Sequence, residues 1–121
     1  MDAMNVVEAW DRSLRTGDWG SARSLLANDA TYLGSEELDS DFNCVSADQI
    51  VELMRSWKGK LPDVEVVEWE TIGDGVLARL RQPAWGENSD WYQVLSVEGG
   101  LITRLKDFGT RDSALAAAGR A

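Results

Sequence analysis

The chain has no histidine and a single cysteine, Cys44, and these two counts remove most nucleophilic and metal chemistry. Ser-His-Asp and Cys-His systems need an imidazole as base, and zinc and redox metals lose their usual ligands. Asp39-x-Asp41-x-Asn43 begins like a calcium loop with alternating oxygens, but Cys44 stands where the turn needs glycine and Ile50 where a bidentate glutamate belongs. The segment therefore reads as a polar loop, and no metal or cofactor is expected. Cys44 has no His or Lys beside it and follows a run of carboxylates, which disfavours a thiolate, so it reads as structural. Two arginines stand among apolar strand residues: Arg79 alternates with Val76, Ala78 and Leu80, and Arg104 shares a strand face with Ile102 and Phe108. Each either anchors an anion or carbonyl inside the fold or pairs on a sheet surface, for example with Glu68 or Glu70.

The elements that must position these groups follow from patterning. Val6, Val7, Trp10 and Leu14 fall at helical spacing, and Gly17 ends that first helix. Asp18 caps a second helix with Trp19, Ala22, Leu25 and Leu26 as its buried stripe, ending near Asn28. Ala30–Gly34 reads as a strand, followed by an acidic loop over 35–43. Ser46 and Gln49 form a capping box ahead of Ile50, Leu53, Met54 and Trp57, a third helix that stops at Gly59 and Pro62. From Val64 the period becomes two: strands 64–72 and 76–81 flank Gly73-Asp74-Gly75, and strands 91–97 and 101–108 flank Gly99-Gly100. Adjacent Val66 and Val67 break the alternation, which predicts a bulge with Val64 and Val66 facing one way and Val67 and Trp69 the other. Thr110 caps a last Ala-rich turn. Three helices, an extra strand and a four-stranded meander make an α+β fold in one domain over residues 1–121, with helices on one face of a bent, mainly antiparallel sheet.

Of the 121 residues, 44% are hydrophobic and 27% charged, the composition of an ordinary globular protein large enough to bury a core without a disulfide. Twenty-one acids against twelve Lys and Arg give a net charge of −9, which repels phosphate backbones and anionic lipid surfaces. Neither nucleic acid nor membrane is an expected partner. Seven of the acids fall between Arg23 and Arg55 with no base among them, the pattern of a solvated face. The N-terminus has neither the basic start nor the apolar run of a signal peptide, and the single cysteine forms no internal disulfide, so a cytoplasmic location is expected.

This order of elements resembles the nuclear transport factor 2-like superfamily, in its SnoaL-like branch, over nearly the whole chain. The phrases that carry the resemblance are Gly17-Asp18-Trp19, Asp29-Ala30-Thr31-Tyr32, Gly73-Asp74-Gly75-Val76, Gly100 to Phe108, and Ala114 to Gly119. It implies a cone-shaped domain, its bent sheet wrapping the helices around one pocket, usually dimeric through the outer sheet face. It does not imply one activity, because the same cone hosts isomerases, cyclases, dehydratases, epoxide hydrolases and binding modules. Lack of histidine removes scytalone-dehydratase-like chemistry. By the resemblance, the steroid-isomerase-like general base falls at Gly34 and its tyrosine donor at Trp10. Arg79 matches the arginine of epoxide-hydrolase-like members, whose aspartate positions fall at Arg81 and Thr110. Both catalytic sets are broken.

The resemblance places Trp10, Tyr32, Phe42, Trp57, Trp69 and Trp91 on elements that line the cone. Flat rings with a polar edge suit a planar apolar ligand, so Tyr32, Met54, Trp57, Trp69 and Trp91 are the expected ligand-binding residues, with Tyr32 as polar contact; the alternative is that these rings are simply core. Asp41 and Asp29 fall near the expected pocket mouth, where a desolvated carboxylate serves as base, and with Arg79 they are the catalytic candidates. Two functional readings follow. One is a pocket protein for a small, apolar, cyclic metabolite, of isomerase, cyclase or lyase type if it is an enzyme. The other is a non-catalytic module that dimerises through its sheet and presents the acidic loop to a protein. Apolar residues on both sheet faces, such as Val76, Ala78 and Leu80 against Leu77, make a homodimer the expected assembly.

Overall fold

The computed structural model describes residues 2–38, 42–60, 64–73, 75–86 and 89–118. Its helices start where a short polar side chain takes up the free amides of the first turn. Helix α1 (Ala3–Thr16) is capped by Asp2, which accepts from the Asn5 amide at 2.8 Å, and ends at Gly17 with φ +71°, a left-handed conformation that glycine adopts without strain. In α2 (Trp19–Ser24) the Asp18 carboxylate accepts from the Ser21 amide. In α3 (Ala47–Lys58) Ser46 accepts from the Gln49 amide, while the Gln49 side chain accepts from the Val45 amide, one residue earlier than a standard capping box. Helix α4 (Arg111–Ala118) begins with Thr110 accepting from the Ser113 amide.

The strands are β1 (Leu26–Leu33), β2 (Asn43–Cys44), β3 (Glu65–Ile72), β4 (Gly75–Arg81), β5 (Trp91–Glu98) and β6 (Leu101–Phe108). Among the described residues they form one open sheet in the order β2-β1-β6-β5-β4-β3, antiparallel except that β1 runs parallel to β6. The expected α+β architecture is therefore present, with the extra strand as β1 and one further short strand, β2, beyond what the sequence predicts. Helix two is shorter than its apolar spacing predicts: Leu25 already accepts a hydrogen bond from the Ile102 amide at 2.8 Å and Leu26 pairs with Ile102, so pairing with a strand some 75 residues away overrides local periodicity.

Three irregularities bend the sheet. Between Leu26 and Thr31 strand β1 carries extra residues against β6; Val67 is the extra residue of β3 against β4; Thr103 is that of β6 against β5. The predicted β3 bulge is present, but its consequence differs: by looping out, Val67 puts Trp69 on the same inward face as Val64 and Val66. The Thr103 bulge likewise reverses parity, so Arg104 is exposed instead of sharing a face with buried Ile102.

Helices α1 and α3 pack into the concave face, where Val6, Val7, Ile50, Leu95, Ile102 and Leu105 are enclosed, each buried side chain contributing roughly 1.5–3 kcal/mol. On the convex face a second, smaller cluster forms where Ala114 of α4 covers Leu77 and Phe108, with Tyr92, Val94 and Leu115 at its edge. No helix among the described residues is long and apolar enough to cross a membrane.

Candidate functional site

Strand register determines what the concave face presents. Trp69, Ala78, Gln93 and Asp107 lie side by side across β3, β4, β5 and β6, and in the next row Leu95, Leu105 and Tyr32 lie side by side across β5, β6 and β1. The second row is apolar except for its last member. The first ends in an amide and a carboxylate. Above them the helices do not fill the space, and a cavity of about 690 Å³ remains.

The cavity wall is apolar and largely aromatic: Trp10 and Leu14 from α1, Met54 and Trp57 from α3, Val66 and Trp69 from β3, and Leu80 and Trp91 from the adjoining strands. Tyr32, Phe42 and Trp57 brace one another edge to face, with ring centroids 4.8 Å (Tyr32–Phe42), 5.3 Å (Phe42–Trp57) and 6.3 Å (Tyr32–Trp57) apart. Such pairs are each worth about 0.5–1.5 kcal/mol beyond burial. The opening is marked by exposed lining residues, Arg15 and Trp85, the latter 61% exposed and tilted against Trp91 at 5.6 Å.

At the floor Tyr32, Gln93 and Asp107 form one buried polar cluster, 4%, 8% and 4% exposed. The Tyr32 hydroxyl donates to the Asp107 carboxylate at 3.1 and 3.2 Å; Gln93 Nε2 donates to Tyr32 Oη at 2.8 Å and to Asp107 Oδ1 at 2.9 Å. Burial pushes the Asp107 carboxyl up to about 6, against the opposing pull of the hydrogen bonds from Gln93 and Tyr32 and of the Lys106 charge. Burial and then the negative charge of Asp107 hold the Tyr32 phenol protonated well above its ordinary range. The arrangement is a carboxylate able to exchange a proton near neutral pH, oriented by two neutral donors and shielded from bulk water.

The sequence-derived candidates fall as follows. Tyr32, Met54, Trp57, Trp69 and Trp91 all line the cavity, as do Trp10 and Phe42. Asp29 does not: it is exposed in the irregular part of β1, because the extra residues there loop away from β6. Arg79 alternates outward on β4, and its ion-pair partner is neither Glu68 nor Glu70 but Asp90, at 2.6 Å, which also holds Arg81 at 2.7 Å. These contacts, Arg81's first, lower the Asp90 carboxyl and fix the segment ahead of β5 at the cavity rim. Asp41 lies outside the described residues. The Gly34 carbonyl accepts from Lys106 Nζ at 2.9 Å, and Thr110 caps α4. Among the described residues no group of three or more Cys, Asp or Glu is placed to hold a metal.

Asp107 and Gln93 escaped the sequence reading, although each carries a signal. Gln93 is two residues from inward Leu95, and Asp107 two from inward Leu105, so each is a polar residue on the buried parity of its strand. Placing Arg104 on one strand face with Ile102 and Phe108 hid the second, because only the bulge at Thr103 gives Leu105 and Asp107 the inward parity.

No family model matches the sequence, and no curated protein matches it. Solved structures do. A Sinorhizobium meliloti protein assigned as a polyketide cyclase superposes with a TM-score of 0.73 at 18% identity, over 89% of this chain and 100% of that one. An NTF2-like protein of unknown function from Cytophaga hutchinsonii gives 0.72 at 15% identity, over 95% and 96%. An LEH-like epoxide hydrolase of M. tuberculosis gives 0.68 at 20% identity, over 98% and 90%. At such identities the likeness is one of architecture, and by that architecture the chain has the nuclear transport factor 2-like fold.

Proposed function

We propose that this protein binds a small, apolar, cyclic molecule in the cavity and that Asp107 moves a proton to or from it, in a reaction of isomerase, cyclase or lyase type. The observation that carries this reading is the Asp107–Tyr32–Gln93 cluster at the floor of an otherwise apolar cavity. A carboxyl near 6 is ionised at neutral pH yet regains a proton at small cost, so the same group serves as base and then as acid. Tyr32 and Gln93 act through Asp107: their donors stabilise its ionised form and orient its remaining lone pairs. The volume of about 690 Å³ lies within the range of small-molecule sites. An association module needs no such space, and the tryptophans do not fill it.

The test is occupancy. Native mass spectrometry of protein purified without denaturation looks for a retained molecule, and Nile red, a neutral apolar dye, probes the cavity directly. Ala78→Phe, which adds a ring beside Gln93 and Trp69, should abolish dye binding while the protein stays folded. Dye binding that survives this substitution, with no retained ligand, overturns the reading.

The assembly belongs to the same proposal: two copies meet through the convex face, which α4 covers only around Leu77 and Phe108. Sedimentation at micromolar concentration should give the dimer mass; a monomer means that α4 is cover enough.

A further inference from the structure

The floor of the cavity offers hydrogen-bond acceptors and no donors. Both Gln93 Nε2 hydrogens are engaged, one by Tyr32 Oη and one by Asp107 Oδ1, and the Tyr32 hydroxyl hydrogen is engaged by Asp107. No hydrogen bond reaches Gln93 Oε1 from the described residues, yet among them no fully enclosed side-chain oxygen lacks a partner, so this atom borders the cavity that Gln93 lines. The opposite amide assignment would set Oε1 against the Asp107 carboxylate, two acceptors in contact. What faces the cavity is therefore the Gln93 carbonyl and the unused lone pairs of Asp107.

Charge sharpens the requirement. Asp107 has two neutral hydrogen-bond partners and, among the described residues, no cation in contact with it: Lys106 follows the opposite parity of β6, with Nζ on the Gly34 carbonyl at 2.9 Å and 5.7 Å from the Phe108 ring centroid. The other charged groups facing the cavity are engaged elsewhere. Arg15 of α1 pairs with Asp11 at 2.8 Å, Lys58 of α3 donates to the Arg15 carbonyl at 2.9 Å, and Asp90 holds Arg79 and Arg81. Among the described residues, β1 and β2 contribute Tyr32 and, paired beside it, Cys44, which does not line the cavity, and from β3 and β4 no titratable group lines the wall. A buried carboxylate without a counter-charge, inside aromatic walls, is the complement of an organic cation: the charge pairs with Asp107, and ring faces favour the ammonium. The net charge of −9 draws cations toward the protein.

We infer that the polar end of the ligand is a protonated amine, seated on Asp107 and Gln93 Oε1, with its apolar body among Trp57, Trp69 and Trp91. This rests on the proposed binding of a small molecule in the cavity against Asp107 and narrows that molecule to one chemical class.

The experiment compares 2-phenylethylamine with 2-phenylethanol, its neutral counterpart, by calorimetry on the intact chain. At pH 7.5 the amine should bind at least tenfold more tightly than the alcohol. An ammonium pairs with the ionised carboxylate, so with an Asp107 carboxyl near 6 its affinity should fall about tenfold between pH 7.5 and pH 5, while the alcohol's does not fall. Asp107→Asn should remove the preference for amine, and should that variant fail to fold, the pH series on the unaltered chain decides alone. Equal affinities at pH 7.5, or amine binding indifferent to pH, overturn the amine assignment; if Nile red still binds, the pocket reading stands without it. If neither probe nor dye binds, both fall.

Discussion

Replacing Asp107 by Asn separates the cost of a buried carboxylate from its use. Its carboxyl is raised from 3.8 to about 6 by burial. The folded state thus holds the proton more tightly than the unfolded chain does. The stabilisation this gives is complete below 3.8, declines as pH rises, and is gone above about 6. At 1.36 kcal/mol for each tenfold change in proton affinity, the rise from 3.8 to about 6 means that, at neutral pH, ionised Asp107 costs the fold roughly 3 kcal/mol relative to a protonated one. Asn is neutral at every pH and nearly the same shape, but its amide meets Gln93 Nε2 and obliges that side chain to turn, a rearrangement worth about 1 kcal/mol. At pH 8 the Asn variant should therefore be more stable than the parent by about 2 kcal/mol. By pH 4 the parent recovers about 2.5 kcal/mol through protonation, and the ranking should equalise or reverse. Urea unfolding followed by tryptophan fluorescence at half-unit pH steps measures both proteins, and the difference between them cancels the titration of all other acids. A difference that stays constant within about 0.5 kcal/mol from pH 4 to pH 8 refutes the reasoning, because it means Asp107 is solvated. A more stable variant without turnover would mark a group kept for function at the expense of stability.

Tyr32→Phe should destabilise by about 1–2 kcal/mol, because it removes a donor from Asp107 and an acceptor from Gln93 in a buried cluster; the pH at which Asp107 titrates should move up, measured by the same unfolding series. Gly75→Ala sets a Cβ 2.5 Å from the Leu95 carbonyl oxygen, a backbone atom that cannot swing aside, and should cost about 2 kcal/mol in thermal or urea unfolding. Cys44 is buried and its thiol is pushed up by that burial, so iodoacetamide at pH 8 should label it slowly in the native protein and rapidly in urea; equal rates would place the thiol at the surface.

Much of this architecture is legible in local sequence because local physics decides it. Asp18, Ser46 and Thr110 start helices for the amides within three residues of them, Gly17 ends one by its left-handed backbone, and adjacent Val66 and Val67 announce a bulge. The absence of histidine excludes whole mechanisms without any structure. The aromatic lining is legible through the family resemblance, which puts these rings on cone-lining elements, and Tyr32, Met54, Trp57, Trp69 and Trp91 do meet around one cavity, although strand alternation alone sets Trp69 on the face opposite Val64 and Val66. What only the tertiary structure decided is the polar floor. Tyr32 and Asp107 are 75 positions apart and Tyr32 and Gln93 61, and their meeting depends on the parallel pairing of β1 with β6, which no neighbouring residue encodes. It depends also on the single extra residue at Thr103: in a strand, side chains alternate faces, so one inserted residue reverses every later assignment. Read without that bulge, β6 points an arginine inward; folded with it, the strand delivers Asp107 to the cavity, where burial by residues far away in the chain gives the carboxyl its chemistry.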